Sequence, residues 1–106
     1  MAITNAAFDT YRLYHYNADN TYGQTAVINC YQGSSFKGSL YFYKEGVTVP
    51  ASSKPGSYMY LRFSEKQMSE MITTLREEKP LYIGFNDVNL WGWVSTSQEP
   101  VGEEES

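Results

Sequence analysis

The sequence predicts an α+β fold: a curved antiparallel β-sheet of about six strands with one α-helix, in the order four strands, helix, two strands. Three observations carry this expectation. Apolar and polar residues alternate with a period of two in successive segments, the signature of half-buried strands. One stretch alone, from Ser64 to Lys79, changes to helical spacing behind a specific start signal. And the 106-residue chain carries ten tyrosines, an excess that suits strands and half-wet sheet surfaces.

FDTYRLYHY (8–16) alternates and is expected as the first strand. The turn-rich loop NADNTYG (17–23) leads into TAVINCY (25–31), the second. QGSSFKG (32–38) is expected as a hairpin loop into SLYFYKE (39–45). GVTVPASSKPGS (46–57), with its two prolines, is the longest loop, and SYMYLRF (57–63) the fourth strand. Ser64 and Gln67 then have the spacing of a capping box, with Phe63 and Met68 placed as a hydrophobic staple. Met68, Met71, Ile72 and Leu75 form one apolar stripe. Glu65 suits the positive first turn of a helix, Arg76 and Lys79 its negative last turn, and Pro80 stops it. LYIGF (81–85) and LWGWVST (90–96), joined by NDVN, complete a final hairpin. Short connections between consecutive strands favour antiparallel pairing.

Residues 1–97 are expected as one globular domain and 98–106 as an acidic, flexible C-terminal tail. The chain has eight Lys and Arg against twelve Asp and Glu, and four of the acids (Glu99, Glu103, Glu104, Glu105) lie in the last eight residues, so the body is neutral. One cysteine excludes an intrachain disulfide, and one histidine beside it excludes a Cys/His zinc cluster; no cofactor is implied. The N-terminus has no apolar run of secretory length, and no segment approaches the ~18 apolar residues of a membrane span. A soluble cytoplasmic protein without a membrane partner is expected.

Alternation sorts the strands into two faces. Leu13, Ile28, Cys30, Leu40, Phe42, Met59, Leu61, Phe63, Leu81, Ile83 and Phe85 are the expected core, against which the helix stripe packs. The opposite face collects Arg12, Tyr14, Tyr16, Asn29, Tyr31, Tyr41, Tyr43, Tyr58, Tyr60, Arg62 and Tyr82, with Asp and Glu nearly absent. Such a face can be a solvated array of cross-strand tyrosine pairs. It can be a subunit interface, for which Tyr and Arg are favoured anchors. It can also be a stacking platform for single-stranded nucleic acid.

The element order and the polar aromatic sheet face resemble the Whirly-type and transcriptional-coactivator single-stranded-DNA-binding proteins, over roughly residues 8 to 79. The resemblance implies a curved antiparallel sheet that carries the nucleic acid, and a homodimer or higher oligomer. It is one of order and patterning, so no binding residue is carried over.

Nucleophilic catalysis has little to draw on. His15 is expected on the core side of the first strand, and Cys30 is a mid-strand thiol among apolar neighbours. A Cys30–His15 pair on neighbouring strands would lack a third group. Glu77, Glu78 and Asp87 are exposed by pattern. Gly92 between Trp91 and Trp93 sets both indoles on one face, as packing anchors or as a stacking site. The expected protein is therefore a non-enzymatic binding module. Its candidate ligand or interface residues are Arg12, Tyr14, Tyr16, Tyr41, Tyr43, Tyr58, Tyr60, Arg62 and Tyr82, with Trp91 and Trp93 as further stacking residues. Its partner is single-stranded nucleic acid or, alternatively, another protein or a second copy of itself through the same face.

Overall fold

A computed structural model describes residues 3–16, 23–78 and 80–96. In chain order the elements are β1 (Ile3–Phe8), β2 (Thr10–His15), β3 (Gln24–Gln32), β4 (Ser35–Tyr43), β5 (Met59–Ser64), a 3-10 turn (Glu65–Gln67), α1 (Met68–Glu77), β6 (Leu81–Asn86) and β7 (Trp91–Thr96). The class is α+β and mostly strand, as expected. The strands divide into a four-stranded sheet, β2-β3-β4-β5, and a three-stranded sheet, β1-β6-β7.

Two sheets therefore replace the single curved one, and the break at Asp9 is the reason. The expected first strand, 8–16, is the end of β1 and all of β2. β1 pairs with β6 and β2 with β3, so the chain changes sheets across one residue. Asp9 fixes that corner: its backbone N–H donates to the Tyr31 carbonyl at 2.9 Å, and its Oδ1 accepts from the Gly33 N–H at 3.0 Å. β1 itself was not foreseen, because ITNAAF puts small or mixed residues on both of its faces.

The pairing expected to be antiparallel throughout is parallel between β4 and β5. A parallel return needs a crossover of about a dozen residues or more, and the stretch 44–58 supplies it. The hairpin between β3 and β4 is tighter than the expected seven-residue loop. Gly33, at φ +62°, takes the first central position of a two-residue turn, and the strands run to Gln32 and from Ser35. Register shifts near each end of this pair add one residue to one strand.

The expected core residues do face the core. Leu13 and Phe63 are half-buried against the core, and the other nine expected core residues are buried. β6 and α1 contribute to the same cluster, together with Phe8 from β1. Leu75 is the buried member of the helix stripe, while Met68, Met71 and Ile72 are half-buried. The capping box forms on the 3-10 turn: Lys66 N–H donates to Ser64 Oγ and Ser64 N–H to Gln67 Oε1, both at 3.2 Å. At Gly38 and Gly92 there is no room for a side chain. A Cβ on Gly38 would meet the Met59 carbonyl and come within 3.0 Å of Ile83 Cδ1, and one on Gly92 would meet the Leu61 side chain. Among the described residues no helix is long and apolar enough to cross a membrane. The expected acidic tail lies outside the described residues.

Candidate functional site

The outward face of the four-stranded sheet is built in rows by its register. Arg12, Asn29, Ser39 and Tyr60 lie across one row, and Tyr14, Val27, Tyr41 and Arg62 across the next. Strands β2 to β5 contain no Asp or Glu, and carry Arg12, Lys37 and Arg62. Aromatic contacts run over this surface. Tyr41 and Tyr60 lie 6.2 Å apart, and at one end Tyr31, Phe36 and Tyr58 form an edge-to-face ladder with centroid spacings of 5.7 and 4.8 Å.

Arg62 is the best-fixed cation of the face. Its Nη1 donates to the Ala51 carbonyl at 2.7 Å and to Ser53 Oγ at 3.1 Å, and its guanidinium lies 5.8 Å from the centre of the Tyr41 ring. These contacts exist because residues 51–53 return along the free edge of β5. Ser53 and Tyr60 exchange backbone hydrogen bonds there, and the Ser52 hydroxyl accepts from the Arg62 backbone N–H. Burial raises the Tyr41 hydroxyl pKa, with Tyr60 and Tyr16 nearby adding to the rise while Ser39 and Arg62 oppose it. Tyr41 is thus the hub of a cluster that includes Tyr16, Tyr60 and Arg62. At the exposed edge Arg12 Nη1 donates to the Tyr14 hydroxyl at 3.3 Å, and that bond raises the Arg12 pKa further.

Two hollows flank Arg62. One, of about 420 Å³, is lined by Gln24, Tyr41, Tyr43, Pro50 and Arg62. Gln24 Nε2 donates to the Tyr43 hydroxyl there, at 3.1 Å. The other, of about 300 Å³, lies between residues 50–52, Arg62, Gln67 and the β6–β7 turn, where Leu90 and Trp91 line it. Leu90 has φ +62°, a left-handed conformation that strains a branched residue. Asn86 supports the turn, accepting from Val88 N–H through its side chain and from Leu90 N–H through its carbonyl.

Most of the expected site residues meet on this surface, and two do not. Arg12, Tyr14, Tyr16 and Tyr58 are exposed, and Tyr41, Tyr60 and Arg62 half-buried. Tyr43 is 3% exposed and serves as floor. Tyr82 is on the other sheet, paired with Ala7 and Ser95 in β1 and β7, so it is not part of the face. The two tryptophans do share one face, that of the three-stranded sheet. Trp93 lies across Gly84 and donates from Nε1 to Asn5 Oδ1 at 3.1 Å, which ties it to its own sheet. Trp91, 69% exposed, is the one that reaches the Arg62 hollow.

Gln24, Phe36, Pro50 and residues 51–53 belong to the site and were not foreseen. Gly33–Ser34 is a recognisable two-residue hairpin signal and would have placed Phe36 on β4. Nothing local marks 51–53 as an edge partner.

Cys30 and His15 are not brought together. Burial pushes the Cys30 thiol pKa up to about 12. His15, expected on the core side, is exposed at the end of β2. It pairs with Ala26 while Cys30 pairs with Tyr11, which separates the two by four positions, roughly 13 Å, along the strands. Among the described residues no group of three or more His, Cys, Asp or Glu side chains could hold a metal ion. No protein-family model, curated protein or solved structure matches the chain.

Proposed function

We propose that the outward face of the four-stranded sheet binds single-stranded nucleic acid. One observation carries the reading: four consecutive strands free of carboxylates present tyrosines with Arg12 and Arg62 on one surface, and hollows lie on both sides of the fixed Arg62. Bases stack on Tyr14, Tyr41, Tyr60 and Trp91, each stacked base contributing about 1–3 kcal/mol. Arg12 and Arg62 take phosphates. Because Arg62 is already held by Ala51 and Ser53, its ordering adds little to the cost of binding. With a neutral body, stacking supplies most of the affinity and the salt dependence is shallow. Two phosphate contacts to a single strand give a slope of log affinity on log salt near about −1.4.

Anisotropy of a short labelled oligothymidine, titrated with the full chain over a range of salt, tests this. Saturable binding with that shallow slope is expected, stronger for the single strand than for a duplex of the same sequence. Absence of saturable binding, or equal binding by a Tyr41→Leu/Arg62→Gln variant, removes the reading.

A second reading, self-association through the same face, is favoured by the edge of the sheet. Residues 51–53 cover β5, but among the described residues nothing pairs with the outer edge of β2, and an open edge can join a second copy. Sedimentation velocity separates the two: a dimer dispersed by Arg12→Glu/Tyr14→Glu supports it, and a monomer at all concentrations excludes it.

A further inference from the structure

A cavity larger than either hollow beside Arg62 lies away from the tyrosine face, at the corner where β1 passes into β2 beneath the C-terminal end of α1. It measures about 490 Å³, inside the ~300–1,000 Å³ range of small-molecule sites. Its apolar wall is part of the core and is therefore preformed: Phe8, Leu75 and Leu81 are 3%, 5% and 6% exposed. Among the described lining residues the charges of its polar rim have one sign, and the only formal charges are the carboxylates of Asp9 and Glu78. Asp9 is held by its backbone bond to Tyr31 and by the Gly33 N–H on Oδ1, and among the described residues Oδ2 makes no hydrogen bond. The last turn of α1, from which Leu75 enters the lining and which Glu78 caps, adds the negative end of the helix dipole.

We propose that this cleft binds a small amphipathic cation: an organic ammonium whose apolar body fills the pocket against Phe8, Leu75 and Leu81 while its charged head meets Asp9 and Glu78. A neutral apolar ligand would leave the carboxylates without a partner of opposite charge, and an anion would face two like charges and the helix end. The site is independent of the nucleic-acid reading, since none of its lining residues belongs to the rows of the tyrosine face.

The test is an amide-resolved NMR titration of the full chain with three probes of one shape: 2-phenylethylammonium, neutral 2-phenylethanol and anionic 3-phenylpropanoate. Saturable shifts confined to the amides of Ala7–Tyr11, Gln32–Gly33, Leu75–Glu78 and Leu81 are expected with the amine. The alcohol should bind about tenfold more weakly, the difference between a charge-assisted and a neutral hydrogen bond. The carboxylate should cause no saturable shift. Asp9→Asn keeps an acceptor for Gly33 N–H, and Glu78→Gln alters a rim residue. The double variant should keep the parent spectrum and bind amine and alcohol equally. Equal binding of amine and alcohol by the parent chain, saturable binding of the carboxylate, or shifts confined to other parts of the molecule would overturn the proposal.

Discussion

Gly38→Ala puts the packing around the parallel β4–β5 ladder to a quantitative test. Gly38 pairs with Met59 in the parallel β4–β5 ladder and faces Ile83 of the other sheet. The added methyl would collide with the Met59 carbonyl, a backbone group fixed by the ladder, and would press on Ile83 Cδ1 from 3.0 Å. Ile83 can yield by a few tenths of an ångström; the carbonyl can retreat only by loosening the strand. Overpacking costs about 1–3 kcal/mol, and a buried ladder group left without its partner about 1–3 kcal/mol more. A loss of about 3–5 kcal/mol follows, a large part of the stability of a domain this size. Two controls isolate the cause. Gly33→Ala meets no atom within 4 Å but sits at φ +62°, so it should cost about 1–2 kcal/mol. Gly56→Ala has open space and no positive φ, and should be neutral or stabilise by a few tenths. Urea denaturation of the three variants gives the order Gly56, Gly33, Gly38. A Gly38→Ala protein within ~1 kcal/mol of the parent would refute the crowding of Gly38 between Met59 and Ile83.

Four further outcomes follow from burial and hydrogen bonding. Cys30 ionises near ~8.5 in an unfolded chain but only near about 12 in the fold. Its stabilising effect is therefore complete below ~8.5 and declines as pH rises towards 12. Relative to Cys30→Ala, the parent should lose about 2 kcal/mol between neutral pH and pH 10 in denaturation curves. The same thiol should resist a disulfide reagent until the chain unfolds. Ser64→Ala removes the acceptor of Lys66 N–H and should lower stability by about 1 kcal/mol, read as a shift in denaturation midpoint with unchanged slope. Arg62→Lys keeps the charge but cannot reproduce the two bonds from Nη1 to Ala51 and Ser53; about 1–2 kcal/mol of stability should be lost, with faster hydrogen exchange at Tyr60.

The sequence was most legible where pattern and local chemistry agree. Alternation through Ile28–Cys30, Leu40–Phe42 and Met59–Phe63 sorted core from surface, and Ser64 with Gln67 marked the strand-to-helix junction. Pairing partners were not legible. Period-two alternation says which face a residue takes and nothing about which strand lies alongside, so β4–β5 could be parallel without any change in pattern. Tyr82 alternates in step with the tyrosine face yet belongs to the other sheet for the same reason. The sheet change rests on the single residue Asp9, whose role comes from Tyr31 and Gly33, far away in sequence. Arg62 was identified from its strand position, whereas its fixing by residues 51–53 depends on where a long loop returns.

The proposed binding face is tested most directly by tryptophan fluorescence, because the two indoles are placed differently. Trp91 lines the hollow beside Arg62, while Trp93 is bonded to Asn5 on the three-stranded sheet. Titration of Trp93→Phe, which retains Trp91, with oligothymidine should quench its emission in a saturable way, whereas Trp91→Phe should show no change. Equal quenching of both variants, or of neither, would contradict a nucleic-acid site centred on Tyr41, Arg62 and Trp91.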